Sequence, residues 1–559
     1  MRRVSPPPIP SAIAHEWAGR GSMAPCTRSV DALPGMSADT ACTASLNSRR
    51  TAADRVGTAH AARPGTNRAP RERPVTKRIV IIGGGATAVS ALAHVAGAPG
   101  IERLTLVAPD RVGFGTAFGT TDPTLLCNTS VDVTSLLAEG QSDFLEYLAA
   151  HGHPVHRDDF VPRYLVGQYC RTRYGQYRDR ALARGTKVTH IRERAVAIHH
   201  LDDDTYRVEL ADGATVTGTD VLFCAGPEEP RLPTEVSAHR GDPRLHESPY
   251  PASRLPQDAR VLVLGTKLSA IDAALVLSRE GLRHTVLTSP SSTLPAVRTR
   301  LRRSAEPALG PGDWAALDPD STSFDHSLTR MLVRAVRRSH PSARAPRTGA
   351  GGPAVTPRLN EEARLAEEGR IPWQDIVAEV IDALNEQIPR WRPEVAARVL
   401  TRHHALMSRY ISAIPLRNAK LLVAHAAAGR LRVAPAYPEE LRRTDAGWRV
   451  RWADGSGESF DHVVVAAGYR ARRLICAAGC LRIGHDGDGP HPELLADLRV
   501  RLPDRADPER IWVLGSAAGT RHPIVNYLRA AAQHAAVVGE QIARPRTDEV
   551  APYVERTTL

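Results

Sequence analysis

The short, almost wholly apolar run Arg78-Ile79-Val80-Ile81-Ile82 leads without interruption into Gly83-Gly84-Gly85-Ala86-Thr87-Ala88. An apolar run of this length leading into glycines predicts a strand. Ala86 to Ala96 then has the composition of a helix, and Leu104 to Val107 reads as a second strand. Strand, helix and strand in this order predict an α/β fold with a parallel, doubly wound sheet. The glycines match G-x-G-x-x-A. Gly83 permits the tight turn, Gly85 lets the backbone approach a pyrophosphate, and Ala88 lets the helix lie close to the strand. The first N–H groups of the helix then face the phosphates. A glycine-rich turn serving packing alone is the competing reading. The second strand usually ends in an acid that holds a ribose; Ala108 stands there, and Asp110, two residues on, is the candidate substitute.

The pattern recurs at Val261-Leu262-Val263-Leu264-Gly265-Thr266-Lys267-Leu268-Ser269-Ala270. Here Lys267 replaces the second glycine. Its Cβ keeps the backbone away from a phosphate, and its ammonium could pair with one instead; a decayed, purely structural unit is the alternative. The following strand, His284 to Ser289, ends in hydroxyls and not in an acid, with Arg298 and Arg300 beyond it. That combination suits a 2′-phosphate and favours NADPH over NADH, unless the arginines are a solvated basic face.

Around these two Rossmann-like dinucleotide-binding units the chain is expected to divide as follows. Residues 1–76 form a disordered basic leader, with Met23 and Met36 as alternative starts. A first dinucleotide-binding domain begins over 77–255, an NADPH-binding unit spans 256–300, and a helical, substrate-facing insertion covers 301–430 with a mobile loop at 340–357. The first domain, which the resemblance described below makes the FAD-binding one, returns over 431–545, and a tail covers 546–559. The net charge of +12 suggests nucleic acid, but residues 1–77 hold twelve Lys/Arg and five Asp/Glu, so +7 of it lies in that N-terminal stretch. No nucleic-acid-binding motif follows it. There is no eighteen-residue apolar run and no secretory h-region, so neither a membrane span nor a secretory signal is expected. Seven cysteines without paired spacing predict neither disulfides nor a metal site and fit a reducing cytoplasm.

Several further segments resemble the FAD/NAD(P)-binding flavoprotein superfamily, over about residues 77–545. They are Gly113-Phe114-Gly115-Thr116-Ala117-Phe118-Gly119, Leu125-Leu126-Cys127-Asn128, Phe160-Val161-Pro162-Arg163 with Gly167 and Tyr169, and Val463-Val464-Val465-Ala466-Ala467-Gly468-Tyr469. Within that superfamily the chain looks most like bacterial flavin N-hydroxylating monooxygenases of natural-product pathways, including the aspartate N-monooxygenases that form nitrosuccinate. With the two glycine turns, the candidate cofactor-binding residues for FAD and NADPH are Gly83, Gly85, Ala88, Asp110, Gly115, Asn128, Arg163, Gly265, Lys267, Ser269 and Gly468. The resemblance implies that NADPH reduces the flavin and that one atom of O2 passes to the amino nitrogen of a small amino acid in antibiotic biosynthesis. Lys267 and Ala108 depart from the family pattern.

A carboxylate-bearing substrate needs cations, and Arg163, Arg298, Arg300, Arg409 and Arg417 are the candidates. His403 and His404, near Arg409, could carry protons, since imidazole titrates near neutrality. Arg409 and His404 are taken as the catalytic pair, with a surface salt bridge or packed histidine as the plain alternative. A homo-oligomer is compatible with this picture. A flavin reductase or dehydrogenase without oxygen insertion, and a non-catalytic flavin-fold binding protein, are the competing functions; the absence of C-x-x-C removes disulfide reductases.

Overall fold

The computed structural model describes residues 76–140, 142–201, 205–251, 254–304, 306–340 and 355–544. The expected leader (save Thr76), most of the loop at 340–357 and the tail lie outside the described residues.

Two five-stranded parallel sheets organise the chain. The first has the order Ile511–Val513, Asp220–Phe223, Lys77–Ile82, Ile101–Val107, Lys187–Ile191. The second has the order Leu431–Val433, His284–Thr288, Arg260–Leu264, His462–Val465, Leu245–His246. Both central strands are buried on both faces, which explains why they read as unbroken apolar runs. A separate antiparallel sheet joins the Ala195–His200, Tyr206–Leu210 and Thr215–Gly218 strands to Arg472–Ala477 and Cys480–His485.

The second unit is larger than expected. The strands at 431–433 and 462–465, read from sequence as part of the returning FAD domain, hydrogen-bond within the second sheet. The chain rejoins the first sheet only at Ile511–Val513. An apolar run such as His462-Val463-Val464-Val465 fits either sheet, so its partner is a tertiary choice. Lys187–Ile191 pairs in parallel with Ile101–Val107 at the edge of the first sheet. The helical insertion is present. Helices Phe324–Ser339, Val355–Glu367, Val377–Gln387, Pro393–Tyr410 and Leu416–Ala427 fall between two strands of the second sheet.

The closing helix Leu528–Ala543 lies along the first glycine-turn helix, Ala86–Val95. A Cβ at Gly539 would stand 3.0 Å from the Cβ of His94, so glycine permits the close crossing. On the same helix His534 is buried, its ring 4.6 Å from that of His522, and its Nδ1 accepts the Gly515 N–H at 3.2 Å. Burial lowers the pKa of His522 to about 4 and that of His534 to about 3. The unfolded chain takes up protons at these residues as pH falls below 6.5, whereas the folded chain resists until the lower values. Stability is therefore present above pH 6.5 and lost progressively as pH falls toward 4, on the order of a few kcal/mol. Denaturation midpoints measured from pH 7.5 down to about 4.5 should show this slope. His534→Gln, which retains an acceptor for the Gly515 amide, should flatten it; an unchanged slope would exclude His534 as a source.

Candidate functional site

The two glycine turns are built alike. Gly83 has φ +123° and Gly265 has φ +147°, in the region that glycine alone enters readily. A Cβ on Gly83 would lie 2.6 Å from the Cys224 carbonyl oxygen, and one on Gly265 would lie 2.4 Å from that of Ala466. The Gly83 N–H donates to the Val107 carbonyl at 2.9 Å, and the Gly265 N–H donates to that of Thr288 at 2.7 Å. These glycines are demanded by the fold itself.

Gly85 differs. It is the N-cap of helix Ala86–Val95, and a Cβ placed there would meet only the Gly115 Cα, at 3.8 Å. The protein interior does not require glycine at this position; the missing Cβ leaves a cradle over the helix N-terminus, which is what a pyrophosphate needs. Gly115, at φ +55°, closes the other side, since its own Cβ would be 3.0 Å from the Gly85 Cα. Ala88 is fully buried against the sheet. Asp110 is exposed beyond the second strand and acts electrostatically on Arg194. The residues present thus fit a dinucleotide at the first turn.

Lys267 is the counterpart of Gly85. It caps helix Leu268–Arg279 with φ −100° and ψ −165°, against −82° and −170° for Gly85. Its Nζ donates to the carbonyl and the hydroxyl of Thr293, both at 3.1 Å. Arg409 reaches the same turn, its Nη1 donating to the Leu294 carbonyl at 3.1 Å. Burial, and then the neighbouring Arg409 charge, hold the Lys267 ammonium below the usual lysine range. Thr266 Oγ1 lies 2.7 Å from Ser289 Oγ, so hydroxyls line the turn as expected. Thr288 is not among them, because its hydroxyl donates to the Ala436 carbonyl at 3.0 Å. Ser269 lies half-buried in the first helical turn.

The structure redistributes the arginines. Arg409 ion-pairs with Glu362 beside the second dinucleotide turn. Arg300 forms a two-pronged bond to Asp375, at 2.8 and 2.9 Å, and so is not aimed at the end of the second unit's strand. Arg417 is exposed in the first turn of helix Leu416–Ala427. Arg163 does not lie open to a ligand. It ion-pairs with the buried Asp272 at 2.6 Å, donates to Tyr250 Oη at 2.9 Å and to the Leu126 carbonyl at 3.1 Å. Tyr250 Oη in turn donates to Asp272 at 3.0 Å. Asp272 was missed in the sequence, although an acid inside Leu268-Ser269-Ala270-Ile271-Asp272-Ala273-Ala274-Leu275 is the signal of a buried ion pair.

His404 is exposed on helix Pro393–Tyr410. His403 instead bonds Asp325 at 2.9 Å and ties two helices together. The expected Arg409–His404 catalytic pair is thus divided between the second glycine turn and an exposed helix position. Gly167 is explained by packing: a Cβ there would be 2.4 Å from the Phe118 carbonyl oxygen. Gly468 has φ +90° with open space around it, so conformation alone requires it.

Arg298 is fully buried, with one hydrogen bond, from Nη2 to the Asn128 carbonyl. Its Nε and Nη1 have no partner, and among the described residues no carboxylate reaches it. Burial lowers its pKa to about 9. Fully buried, Arg298 is not part of a solvated basic face.

Residues 80–228 match the FAD-NAD(P)-binding family. Among curated proteins none matches the sequence. The fold resembles ornithine hydroxylase from Pseudomonas aeruginosa, with TM-score 0.51 and 15% identity, covering 84% of this chain and 99% of that one. It also resembles the ornithine N-hydroxylase of Kutzneria sp. 744, solved with reduced FAD, NADP+ and L-ornithine, with TM-score 0.52, 15% identity and coverage of 84% and 99%. L-lysine 6-monooxygenase from Pseudomonas syringae gives TM-score 0.50 and 14% identity over 83% of this chain and 99% of that one. No helix among the described residues is long and apolar enough to cross a membrane.

Two substitutions test this site. Gly85→Trp should leave the protein folded, since nothing in the protein crowds the position, but free of flavin absorbance after gel filtration; full retention of flavin would mean that the first turn holds no dinucleotide. Arg298→Met should raise the unfolding midpoint, because it removes a desolvated charge that lacks a counter-ion. A drop of several degrees would reveal a partner that offsets that charge.

Proposed function

We propose that this chain is an FAD- and NADPH-dependent monooxygenase that oxidises the amino nitrogen of a small amino acid. The observation that carries the reading is the pair of like-built glycine turns, one with an open cradle and the other with a cation at the same position. Bound FAD would supply the redox chemistry, taking electrons from NADPH and passing one atom of O2 to the substrate.

The chain's own residues bind and orient. The Gly83–Ala88 turn would hold the FAD pyrophosphate on the N–H groups of helix Ala86–Val95. At the second turn Lys267 would supply by charge what the backbone cannot supply by close approach. The Arg163–Asp272 pair fixes the Leu126–Asn128 segment of the first unit against the helix of the second, so the two cofactor sites keep one relative position. The amine must arrive uncharged, because a protonated nitrogen has no lone pair to oxidise. The insertion between strands His284–Thr288 and Leu431–Val433 is the element available to enclose it.

For the substrate, sequence resemblance favours aspartate and a nitrosuccinate-forming, antibiotic pathway. The structural neighbours named for ornithine and lysine support the second reading, a basic amino acid. The engagement of Arg163, Arg300 and Arg409 with carboxylates leaves fewer cations for a dicarboxylate. Mass spectrometry of products from a panel of amino acids with NADPH and air should show a mass gain of one or more oxygen atoms in a single amino acid. NADPH oxidation without any oxygenated product from the panel would instead indicate a flavin reductase.

A further inference from the structure

The second glycine turn carries more positive charge than its neighbours answer. Lys267 and Arg409 are anchored on the adjacent carbonyls of Thr293 and Leu294. Among the described residues Lys267 has only neutral acceptors, and Arg409 is the one charge acting on it. Glu362 is the carboxylate set against Arg409, and it also feels Arg358. Leu294, Pro295, Val355, Arg358, Glu362 and Arg409 line a small cleft here. Glu362 is held in it by a backbone hydrogen bond from Val297, and burial raises its pKa.

We infer that Lys267 and Arg409 form a clamp for a phosphate of the bound dinucleotide, and that Glu362 is a resident anion which that phosphate displaces. The inference rests on the reading that the second unit binds a nicotinamide dinucleotide. A Cβ and a long side chain at 267 exclude the close backbone approach that Gly85 allows in the first unit, so recognition passes from amides to side-chain cations. Two cations four atoms or more from the backbone can meet a phosphate that stands further out. A phosphate carries more charge and more acceptor oxygens than a carboxylate, so it competes well for a guanidinium fork. Glu362 cannot remain beside it without like-charge repulsion. Its helix, Val355–Glu367, thereby becomes coupled to dinucleotide binding.

Calorimetric titration of the flavin-loaded, full-length protein with NADP+ and with NAD+ tests this. Arg409→Met and Lys267→Met should each weaken NADP+ binding by roughly 10- to 100-fold, with flavin content and thermal midpoint retained. Arg409→Lys, which keeps the charge and loses the fork, should fall between. Glu362→Gln should tighten binding by about 3- to 10-fold, because it removes the competing charge and little else. A loss confined to NADP+ places the 2′-phosphate in the clamp, and an equal loss for both dinucleotides places the pyrophosphate there. Unchanged affinity in both methionine variants overturns the clamp, and weaker binding by Glu362→Gln overturns the displacement. Failure of the unsubstituted protein to bind either dinucleotide would defeat the functional reading itself.

Discussion

Arg163 and Asp272 bring opposite charges into the interior from two different strand–turn–helix units, and the arrangement of the rest follows from their meeting. Neither could be buried alone, since an unpaired ion in a protein interior costs several kcal/mol. Tyr250 bonds both partners, and the Leu126 carbonyl takes a further donor of Arg163. The guanidinium is therefore satisfied only when the first unit's loop, the second unit's helix and the intervening connection are all in place. A pair of this kind adds little net stability over apolar packing. What it supplies is a single allowed alignment of the two units.

Within this frame the two turns show how one architecture can be kept while its chemistry changes. Gly83 and Gly265 are fixed by the same clash with a carbonyl from the next strand of the sheet, and so by folding. Gly85 and Lys267 occupy matching backbone conformations, yet no protein atom crowds Gly85 closely. Freedom from packing at that position is what permits a lysine in the second unit, with Arg409 brought beside it by the helical insertion. The insertion thus reaches the second glycine turn through Arg409.

Arg298 stands apart from this economy. Its guanidinium is enclosed with two donors unanswered, on a strand that touches the loop of Asn128. A charge kept at such cost is the opposite of what stability alone would select. No group among the described residues explains it.

The local sequence determined the two strand–glycine–helix units, the helical character of the insertion and the glycines that the turns require, because each depends on periodicity and backbone conformation within a dozen residues. Gly83, Gly85, Ala88, Gly265 and Lys267 were legible for that reason. Which sheet a later strand joins was not legible: His462-Val463-Val464-Val465 is equally apolar for either, and only the parallel pairing with Arg260–Leu264 decides. The partners of the arginines were equally hidden, since Arg163 and Asp272 are 109 positions apart and Glu362 lies 47 residues before Arg409. An arginine in a sequence announces a charge but not its counter-ion. Whether it binds a ligand or closes an ion pair depends on what the fold brings to within hydrogen-bond distance, and that is a property of the tertiary structure alone.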